Sequence, residues 1–334
     1  RGPQAKTVEP ASRPSRCIGK GRFVMRPFVR SLQPGRLVVA CLLLVLAGAC
    51  SSPSGDETAQ AGPRPILVGA FDFPESEALA EIYATAMNDH GYPAEVLENV
   101  ASREIMEPAL EQGKVDFVPE YLGTALSFVD PGSDPSFNTP GVTQVMLRDA
   151  FAKRGVTVLE PAPAQNRNEI AVTRATADRY HLTKISDLEK VAGQMNFGGP
   201  PECPSRPHCL GGLQSVYGLK FEAFVPLDAG GPLTIGALRN GEINVALLFT
   251  TTPQIDEFGF VVLRDDRHLQ PSENVVPVVR DDVLSKQGSE FRALVDRITR
   301  KLTEDSLRGI NRKLEGRTPS DVAQEWLFEQ GLES

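Results

Sequence analysis

Short apolar runs and amphipathic stretches alternate along most of the chain. Residues 66–69 (ILVG) form an apolar run of the kind that makes a buried strand. In residues 75–90 the apolar positions recur every three or four residues, which predicts a helix, and Gly91 and Pro93 end it. The same alternation continues towards the C-terminus.

The remaining elements follow by the same criteria. The predicted strands are 66–69, 94–97, 115–118, 156–159, 169–173, 195–198, 221–225, 243–248, 260–263 and 274–279. The predicted helices are 75–90, 102–112, 143–154, one starting at Ser186, 210–217, 233–240 and three more up to Gly331. Strands that alternate with helices indicate an α/β fold whose sheets are mostly parallel and covered by helices.

Two connectors divide this pattern. Residues 160–166 (EPAPAQN) and the polar stretch 264–271 separate similar α/β units. Two crossings of this kind predict two lobes joined by a two-stranded hinge, one lobe spanning residues 65–162 plus 270–334 and the other 163–269. Hinged lobes of this kind bind small ligands in the cleft between them.

Two stretches resemble each other within the chain. Residues 109–116 (ALEQGKVD) and 237–244 (ALRNGEIN) each contain a helix end, a glycine and the start of a strand. A polar turn follows each, at residues 119–124 and 249–253. Open α/β sheets bind ligands outside the carboxyl ends of their strands, near helix N-termini, so these turns are candidate ligand sites. The alternative is that all α/β units look alike at this level.

Charge is distributed unevenly. Residues 1–49 hold nine of the 35 basic residues and one of the 43 acidic ones, so the rest has 26 basic and 42 acidic residues. An acidic body of this kind disfavours nucleic acid and anionic lipid as partners, because both are bound by faces rich in Lys and Arg.

A length of 334 residues suits one large domain or two lobes.

The N-terminal segment has the features of an export signal. Met25 is the predicted true start, three arginines follow it, and residues 37–46 form an apolar run too short for a comfortable transmembrane helix. Residues 46–50 (LAGAC) resemble a bacterial lipobox, in which Cys50 would be lipidated. Residues 1–49 are therefore predicted to be upstream sequence and signal peptide, and 50–64 a tether. The alternative is an ordinary secretory signal with an incidental cysteine.

Two cysteines remain in the body of the chain. Cys203 and Cys209 lie six positions apart, and an even pair outside the cytoplasm favours a disulfide that closes a short loop. A zinc site would need more ligands, and only His208 is near.

Several segments, taken in order, resemble the osmoprotectant (glycine betaine/choline-type) substrate-binding proteins of ABC importers. They are residues 69–76 (GAFDFPES), 109–113 (ALEQG), 115–124 (VDFVPEYLGT), 227–231 (LDAGG) and 246–251 (ALLFTT). The resemblance extends from about Pro65 to the C-terminus. It implies a type II periplasmic-binding fold and a receptor that closes on a solute and delivers it to a permease, with the ATPase as a further partner.

The resemblance also implies a ligand site. Such proteins hold a quaternary ammonium among tyrosines, through dispersion and cation–π attraction. Tyr121 and Thr124 match ligand-contacting residues of the family, and Phe249 falls where another aromatic is frequent. Asn168 and Glu273 stand where tyrosines are common, and Ser76 replaces a Gln or Asp, so the cage is incomplete and the pocket more polar. The candidate ligand residues are Tyr121, Thr124, Phe249, Thr250, Phe71, Asp72, Ser76, Asn168, Glu273 and Asn274, with Thr251 as a further polar group. For Asn168 and Asn274, turn and capping chemistry is an equal alternative.

Nothing in the chain favours an enzyme. The four histidines are scattered, and no phosphate-binding loop or nucleophile motif is present. The prediction is a monomeric, lipid-anchored, extracytoplasmic solute-binding protein of an ABC importer, without cofactor or metal, taking a betaine-like or choline-like solute. The alternative is a ligand-sensing surface lipoprotein of the same fold, with a different polar or phenolic ligand and no transport role.

Overall fold

A computed structural model of the protein describes residues 64–97, 102–135 and 139–333. The predicted signal peptide, Cys50 and nearly all of the predicted tether lie outside these residues. Two five-stranded sheets with helices packed around them form the described part. No helix within those ranges is both long and apolar enough to cross a bilayer.

The elements occur in three blocks along the chain. The first block is β1 (Ile66–Gly69), α1 (Pro74–Asp89), β2 (Ala94–Leu97), α2 (Arg103–Glu111), β3 (Phe117–Tyr121), α3 (Leu122–Val129), α4 (Pro140–Ala152) and β4 (Val156–Val158). The second is β5 (Asn168–Val172), α5 (Arg174–Tyr180), β6 (Asn196–Gly199), α6 (Leu210–Tyr217), β7 (Ala223–Pro226), α7 (Pro232–Asn240), β8 (Val245–Phe249), α8 (Gln254–Glu257) and β9 (Val261–Leu263). The third is β10 (Val275–Arg280), α9 (Asp281–Thr299), α10 (Glu304–Lys313) and α11 (Pro319–Gln330).

The two sheets have equivalent topologies. The strand order is β2-β1-β3-β10-β4 in the first sheet and β7-β6-β8-β5-β9 in the second. β10 and β5 are each antiparallel to both of their neighbours, and each is the first strand after the chain crosses from one sheet to the other. The prediction of an α/β fold with mostly parallel sheets is confirmed. We call the first sheet with its helices the first lobe, and the second sheet with its helices the second lobe.

The two crossing segments are hydrogen-bonded to each other. The backbone N–H of Asn166 donates to the carbonyl of Glu273 at 2.9 Å, and that of Val275 donates to the carbonyl of Ala164 at 3.1 Å. The lobes are therefore joined by two adjacent strands of chain, as predicted for a hinge.

Alternating residues of the central strands enter separate cores. Ile170 and Val172 of β5 pack into one core of the second lobe, whereas Ala171 between them packs into another. Because successive side chains point to opposite faces of a sheet, both faces are covered, and this explains the nearly continuous apolar runs. Trp326, the only tryptophan, lies in the core of the first lobe, as expected.

The structure corrects several predicted elements, and β7 and β8, like β3, begin two residues later than predicted. β3 begins two residues later than predicted and includes Tyr121, because the N–H of Val115 still donates to the carbonyl of Ala109, while Tyr121 pairs with Val275 of β10. The helix predicted to start at Ser186 is a 3-10 helix, Ile185–Lys190. There Asp187 accepts hydrogen bonds from the backbone of Thr183 and Lys184, which favours a tight turn over a longer α-helix.

Candidate functional site

A cavity of about 450 Å³ lies between the lobes. The first lobe contributes residues from the start of α1 and the end of α10, and the second lobe those from the start of α7 and the turn after β8. The residues that line the cavity include Phe73, Glu75, Asn166, Arg239, Phe249, Thr251, Glu257, Phe258, Asn311 and Glu315. The site thus lies beyond the carboxyl ends of β1 and β8, where open α/β sheets usually bind ligands.

Glu75 is a buried carboxylate in the wall of this cavity, only 4% exposed. Its Oε1 accepts hydrogen bonds from the hydroxyl of Tyr121 at 2.9 Å and from Nδ2 of Asn166 at 2.6 Å. Its Oε2 accepts from the hydroxyl of Thr251 at 2.6 Å and from Nδ2 of Asn311 at 2.7 Å. We call these five residues the Glu75 cluster; they come from both lobes and from the hinge.

All four partners of Glu75 are uncharged. Burial raises the pKa of Glu75 above its ordinary value, and the four hydrogen bonds oppose that rise. The carboxylate also lies in the first turn of α1, where the helix dipole favours negative charge. Among the described residues, the side chains that hydrogen-bond to this carboxylate therefore provide no positive charge.

Aromatic rings stand beside the carboxylate. The ring centre of Phe73 is 6.1 Å from that of Phe249, nearly parallel to it, and 6.0 Å from that of Tyr121. Phe73 therefore lies between the two rings that the sequence singled out. Also in the lining, the guanidinium carbon of Arg239 lies 4.0 Å from the ring centre of Phe258. The cavity thus combines aromatic faces with one buried negative charge.

Three of the predicted ligand residues lie at or beside the cavity. Phe249 and Thr251 line it. Tyr121 does not line it, but its hydroxyl holds Glu75 and its ring packs on Phe73. Of the three rings that line the cavity, Phe73, Phe249 and Phe258, the sequence had named Phe249.

Phe71, Asp72 and Ser76 lie around the turn that precedes α1. Phe71 is buried, and the guanidinium carbon of Arg103 lies 4.6 Å from its ring centre. The hydroxyl of Ser76 accepts a hydrogen bond from the N–H of Phe71 at 2.9 Å, and Asp72 is exposed. In this structure Phe71 and Ser76 shape the turn that presents Phe73 and Glu75.

Glu273 and Thr124 contact each other away from the cavity lining. The backbone N–H groups of Gly123 and Thr124 donate to Glu273 at 3.0 and 3.1 Å, and the hydroxyl of Thr124 donates to it as well. Burial raises the pKa of Glu273 to about 7. The pair therefore fixes the start of α3 against the hinge.

The other predicted polar residues bond to backbone groups. Nδ2 of Asn274 donates to the carbonyl of Ala162, and Nδ2 of Asn168 donates to the carbonyl of His208. The hydroxyl of Thr250 accepts from the N–H of Arg167 at 3.1 Å. These contacts hold the hinge and the lobe boundary. The bonds of the two asparagines join residues 112 and 40 positions apart in the chain, so they are not local turn or capping bonds.

Sequence reasoning missed most residues that line the cavity, among them Phe73, Glu75, Asn166 and Asn311. Phe73 and Glu75 lie inside the motif 69–76, so this motif could have identified them as candidate ligand residues. Glu75 stands at the start of the predicted helix, where the helix dipole favours a negative charge. Asn166 was assigned only to a connector. Asn311 lies 236 positions from Glu75, and no local pattern relates the two.

The predicted cysteine pair is adjacent in space. Cys203 and Cys209 are joined through their sulfur atoms, with their Cα atoms 5.2 Å apart. They close a loop of residues 203–209, the cysteine loop, directly before α6. His208 in this loop is buried and hydrogen-bonded through both ring nitrogens.

The sequence of the chain matches a known family and several known proteins. Residues 64–329 match the family model of the substrate-binding domain of ABC-type glycine betaine transport systems. The chain is 29% identical over 307 residues to a glycine-betaine-binding protein of Pseudomonas aeruginosa, covering 87% of this chain and 95% of that one. It is 25% identical over 268 residues to a carnitine transport binding protein of Listeria monocytogenes, covering 78% and 85% of the two chains.

The fold has solved counterparts. A crystal structure of a glycine betaine/carnitine/choline ABC transporter protein superposes on this chain with a TM-score of 0.63 and 24% sequence identity. The superposition covers 80% of this chain and 99% of the other. At this identity the likeness establishes the fold alone. The predicted two-lobe, type II periplasmic-binding fold is confirmed.

Proposed function

This chain belongs to the family of substrate-binding domains of ABC-type glycine betaine transport systems, and we propose that its ligand is a small quaternary ammonium cation of the choline type. As a member of that family it is an extracytoplasmic receptor that delivers its solute to a permease and ATPase. The family match favours this role over ligand sensing without transport.

The observation that carries the proposal is the saturated carboxylate of Glu75. Each of its two oxygens already accepts two hydrogen bonds, which uses the roughly four lone-pair sites of a carboxylate. A ligand ammonium with N–H groups would have to displace one of these donors. A quaternary ammonium has no N–H, so it can be attracted by the charge while all four hydrogen bonds stay in place.

The aromatic walls suit the same cation. The rings of Phe73, Phe249 and Phe258 line the cavity. Each ring that faces a methylated ammonium contributes roughly 0.5–2 kcal/mol by cation–π attraction, and more when water is excluded. These rings would replace the tyrosines expected from the family.

The charges of the lining support a cation over a zwitterion. Glu75, Glu257 and Glu315 are acidic, and Arg239 is the basic side chain among the lining residues. Arg239, which packs on the ring of Phe258, is the lining group that would pair with the carboxylate of a betaine or carnitine. We therefore rank choline-type cations first and zwitterions with a carboxylate second.

We also propose the finer features that the sequence suggested. The lobes would span residues 65–162 plus 270–334 and 163–269, in keeping with a first sheet from strands within 66–158 and 275–280 and a second from strands within 168–263. Phe249 would contact the ligand directly, and Tyr121, Phe71, Ser76, Thr124 and Glu273 would support the surfaces that do. Cys50 would carry the lipid that anchors the protein to the membrane, and the protein would act as a monomer.

A matched pair of ligands tests the proposal. Choline and ethanolamine differ only in the three methyl groups on nitrogen, so calorimetric titration of the purified protein should detect choline and give at least tenfold weaker binding of ethanolamine. Glycine betaine, carnitine and the neutral isostere of choline, 3,3-dimethyl-1-butanol, complete the set. Equal binding of choline and its neutral isostere, or ethanolamine bound as tightly as choline, would overturn the proposal.

A further inference from the structure

The cysteine loop, residues 203–209, reaches from the second lobe to the first. Nη2 of Arg206 donates to Oε2 of Glu104 in α2 at 2.9 Å, and its guanidinium carbon lies 5.5 Å from the ring centre of Phe128 in α3. Nε2 of His208 is 2.8 Å from the hydroxyl of Ser127, also in α3. Two side chains of one short loop thus contact two helices of the other lobe.

The loop is held firmly on its own lobe. A Cβ at Gly212 would lie 2.0 Å from the carbonyl oxygen of Pro207, and one at Gly211 would lie 2.9 Å from that of Arg206, so the loop rests directly on the first turn of α6. The link between Cys203 and Cys209 closes its two ends. The loop therefore presents its side chains from a fixed platform.

His208 bridges the lobes through both ring nitrogens. Nδ1 lies 2.9 Å from the carbonyl oxygen of Leu269, which can only accept, so Nδ1 donates. Burial lowers the pKa of His208. Nε2 lies 2.8 Å from the hydroxyl oxygen of Ser127, which has a single proton to donate and also lies 2.9 Å from the carbonyl oxygen of Gly123. The backbone carbonyl of His208 also accepts from Asn168 and Gln270. The residue ties the loop, the hinge segment and α3 together.

Arg206 is the charged half of the contact. Its side chain is 14% exposed, whereas that of Glu104 is 47% exposed. Burial and the positive charge of Arg103 lower the pKa of Arg206, because both disfavour a charged guanidinium at this position. The negative charge of Glu104 opposes this effect. The contacts with Glu104 and Phe128 join the two lobes in this structure, and they stabilise this arrangement of the lobes.

We propose that Arg206 and His208 are positioning residues that hold the lobes closed at a point outside the ligand cavity, and so set how long the ligand stays bound. The proposal rests on the solute-binding function above, because closure of the lobes is what traps the solute. Neither side chain lines the cavity. Since apparent affinity scales with the fraction of protein in the binding-competent state, a contact made only in the closed state raises affinity without touching the ligand.

Charge-neutral and charge-swapped variants test the contact. Arg206→Gln and Glu104→Gln should each weaken choline binding by roughly three- to tenfold, the range expected for a partly exposed ion pair with a cation–π contact. The loss should appear in the dissociation rate by stopped flow, with the association rate within about twofold. The swap Arg206→Glu with Glu104→Arg should recover most of the affinity. Arg317→Gln, which breaks an ion pair with Glu325 in the first lobe, is the matched control and should change neither rate.

A second measurement does not require a ligand. Small-angle scattering of the ligand-free protein should show a larger radius of gyration for Arg206→Gln, for His208→Asn and for the Cys203→Ser, Cys209→Ser double variant, with melting curves confirming that each is folded. If choline does not bind but the radius still increases, the ligand assignment fails and the positioning role stands. The positioning role would be overturned if Arg206→Gln and His208→Asn changed neither the radius of gyration nor the dissociation rate of the ligand.

Discussion

The carboxylate of Glu75 and the hydroxyl of Thr251, 176 positions apart in the chain, are joined by a 2.6 Å hydrogen bond that crosses from the first lobe to the second. The same carboxylate accepts from Asn166 in the hinge. One buried negative charge therefore contacts both lobes and the segment about which they would move. If the proposed ligand binds beside Glu75, a change in the ionisation of Glu75 would act on ligand binding and on lobe closure together.

Ligand affinity should depend on the ionisation of Glu75. Because the pKa of Glu75 is raised, its charge is lost as the pH falls through a value above the ordinary 4.5, and the attraction for a cation is lost with it. Choline affinity measured by calorimetry should therefore fall as the pH is lowered. Glu75→Gln should bind choline at least tenfold more weakly at pH 7 and lose this pH dependence. An unchanged pH profile in the variant would remove Glu75 from the site.

Tyr121 should act through Glu75. Tyr121→Phe keeps the ring against Phe73 and removes one of the two hydrogen bonds to Oε1. Losing a hydrogen bond to a charged group costs about 1.5–3 kcal/mol, so the carboxyl should protonate at a higher pH and choline affinity should fall at a higher pH than in the wild type. The measurement is the same calorimetric series. A profile that does not move would show that the hydroxyl has no influence on the carboxylate.

Phe249→Ala should weaken the binding of a cation by ~1–2 kcal/mol, or roughly five- to thirtyfold in Kd, because the variant removes one aromatic wall of the cavity. Phe221→Ala is the control, since Phe221 stacks on Phe197 in the core of the same lobe. It should lower the melting temperature and leave Kd unchanged. Equal effects of both variants on Kd would mean that Phe249 contributes only to packing.

Glu273 should make the protein less stable as the pH rises. Burial raises the pKa of Glu273 from 4.5 to about 7, so between these values the unfolded chain has released a proton that the folded protein retains. The free energy of unfolding therefore falls as the pH rises through this window, by about 3 kcal/mol for this group. Urea denaturation at pH 4.5 and 7.5 should show a smaller decrease for Glu273→Gln than for the wild type. The exposed Glu95→Gln is the charge-matched control, and a decrease that persists in Glu273→Gln would refute the assignment.

Membrane attachment should depend on Cys50. Each CH₂ group of an acyl chain that is buried in the membrane contributes about 0.8 kcal/mol of binding free energy, so two or more chains give lasting attachment. Cys50→Ala should move the protein to the soluble fraction or block its processing, whereas Cys41→Ala, within the apolar run, should not. A Cys50→Ala protein that still fractionates with membranes at the wild-type size would exclude the lipobox interpretation.

The elements with strong local signals could be predicted closely from the sequence. β1, β2 and α6 have the predicted bounds, because apolar periodicity and glycine stops are properties of neighbouring residues. The two connectors likewise indicated two lobes and a cleft. The family resemblance directed attention to Tyr121 and Phe249, which lie beside the same ring, that of Phe73.

Only the tertiary structure decided which side chains meet. β3 extends to Tyr121 because β10, more than 150 positions later, pairs with it, and no local pattern encodes that partner. Asn311 and Thr251 reach Glu75 from the last third of the chain, so no window of sequence shows that these three residues meet. Periodicity depends on distances along the chain, whereas burial, pKa and hydrogen-bond saturation depend on distances through space, and those exist only once the two lobes have folded and met.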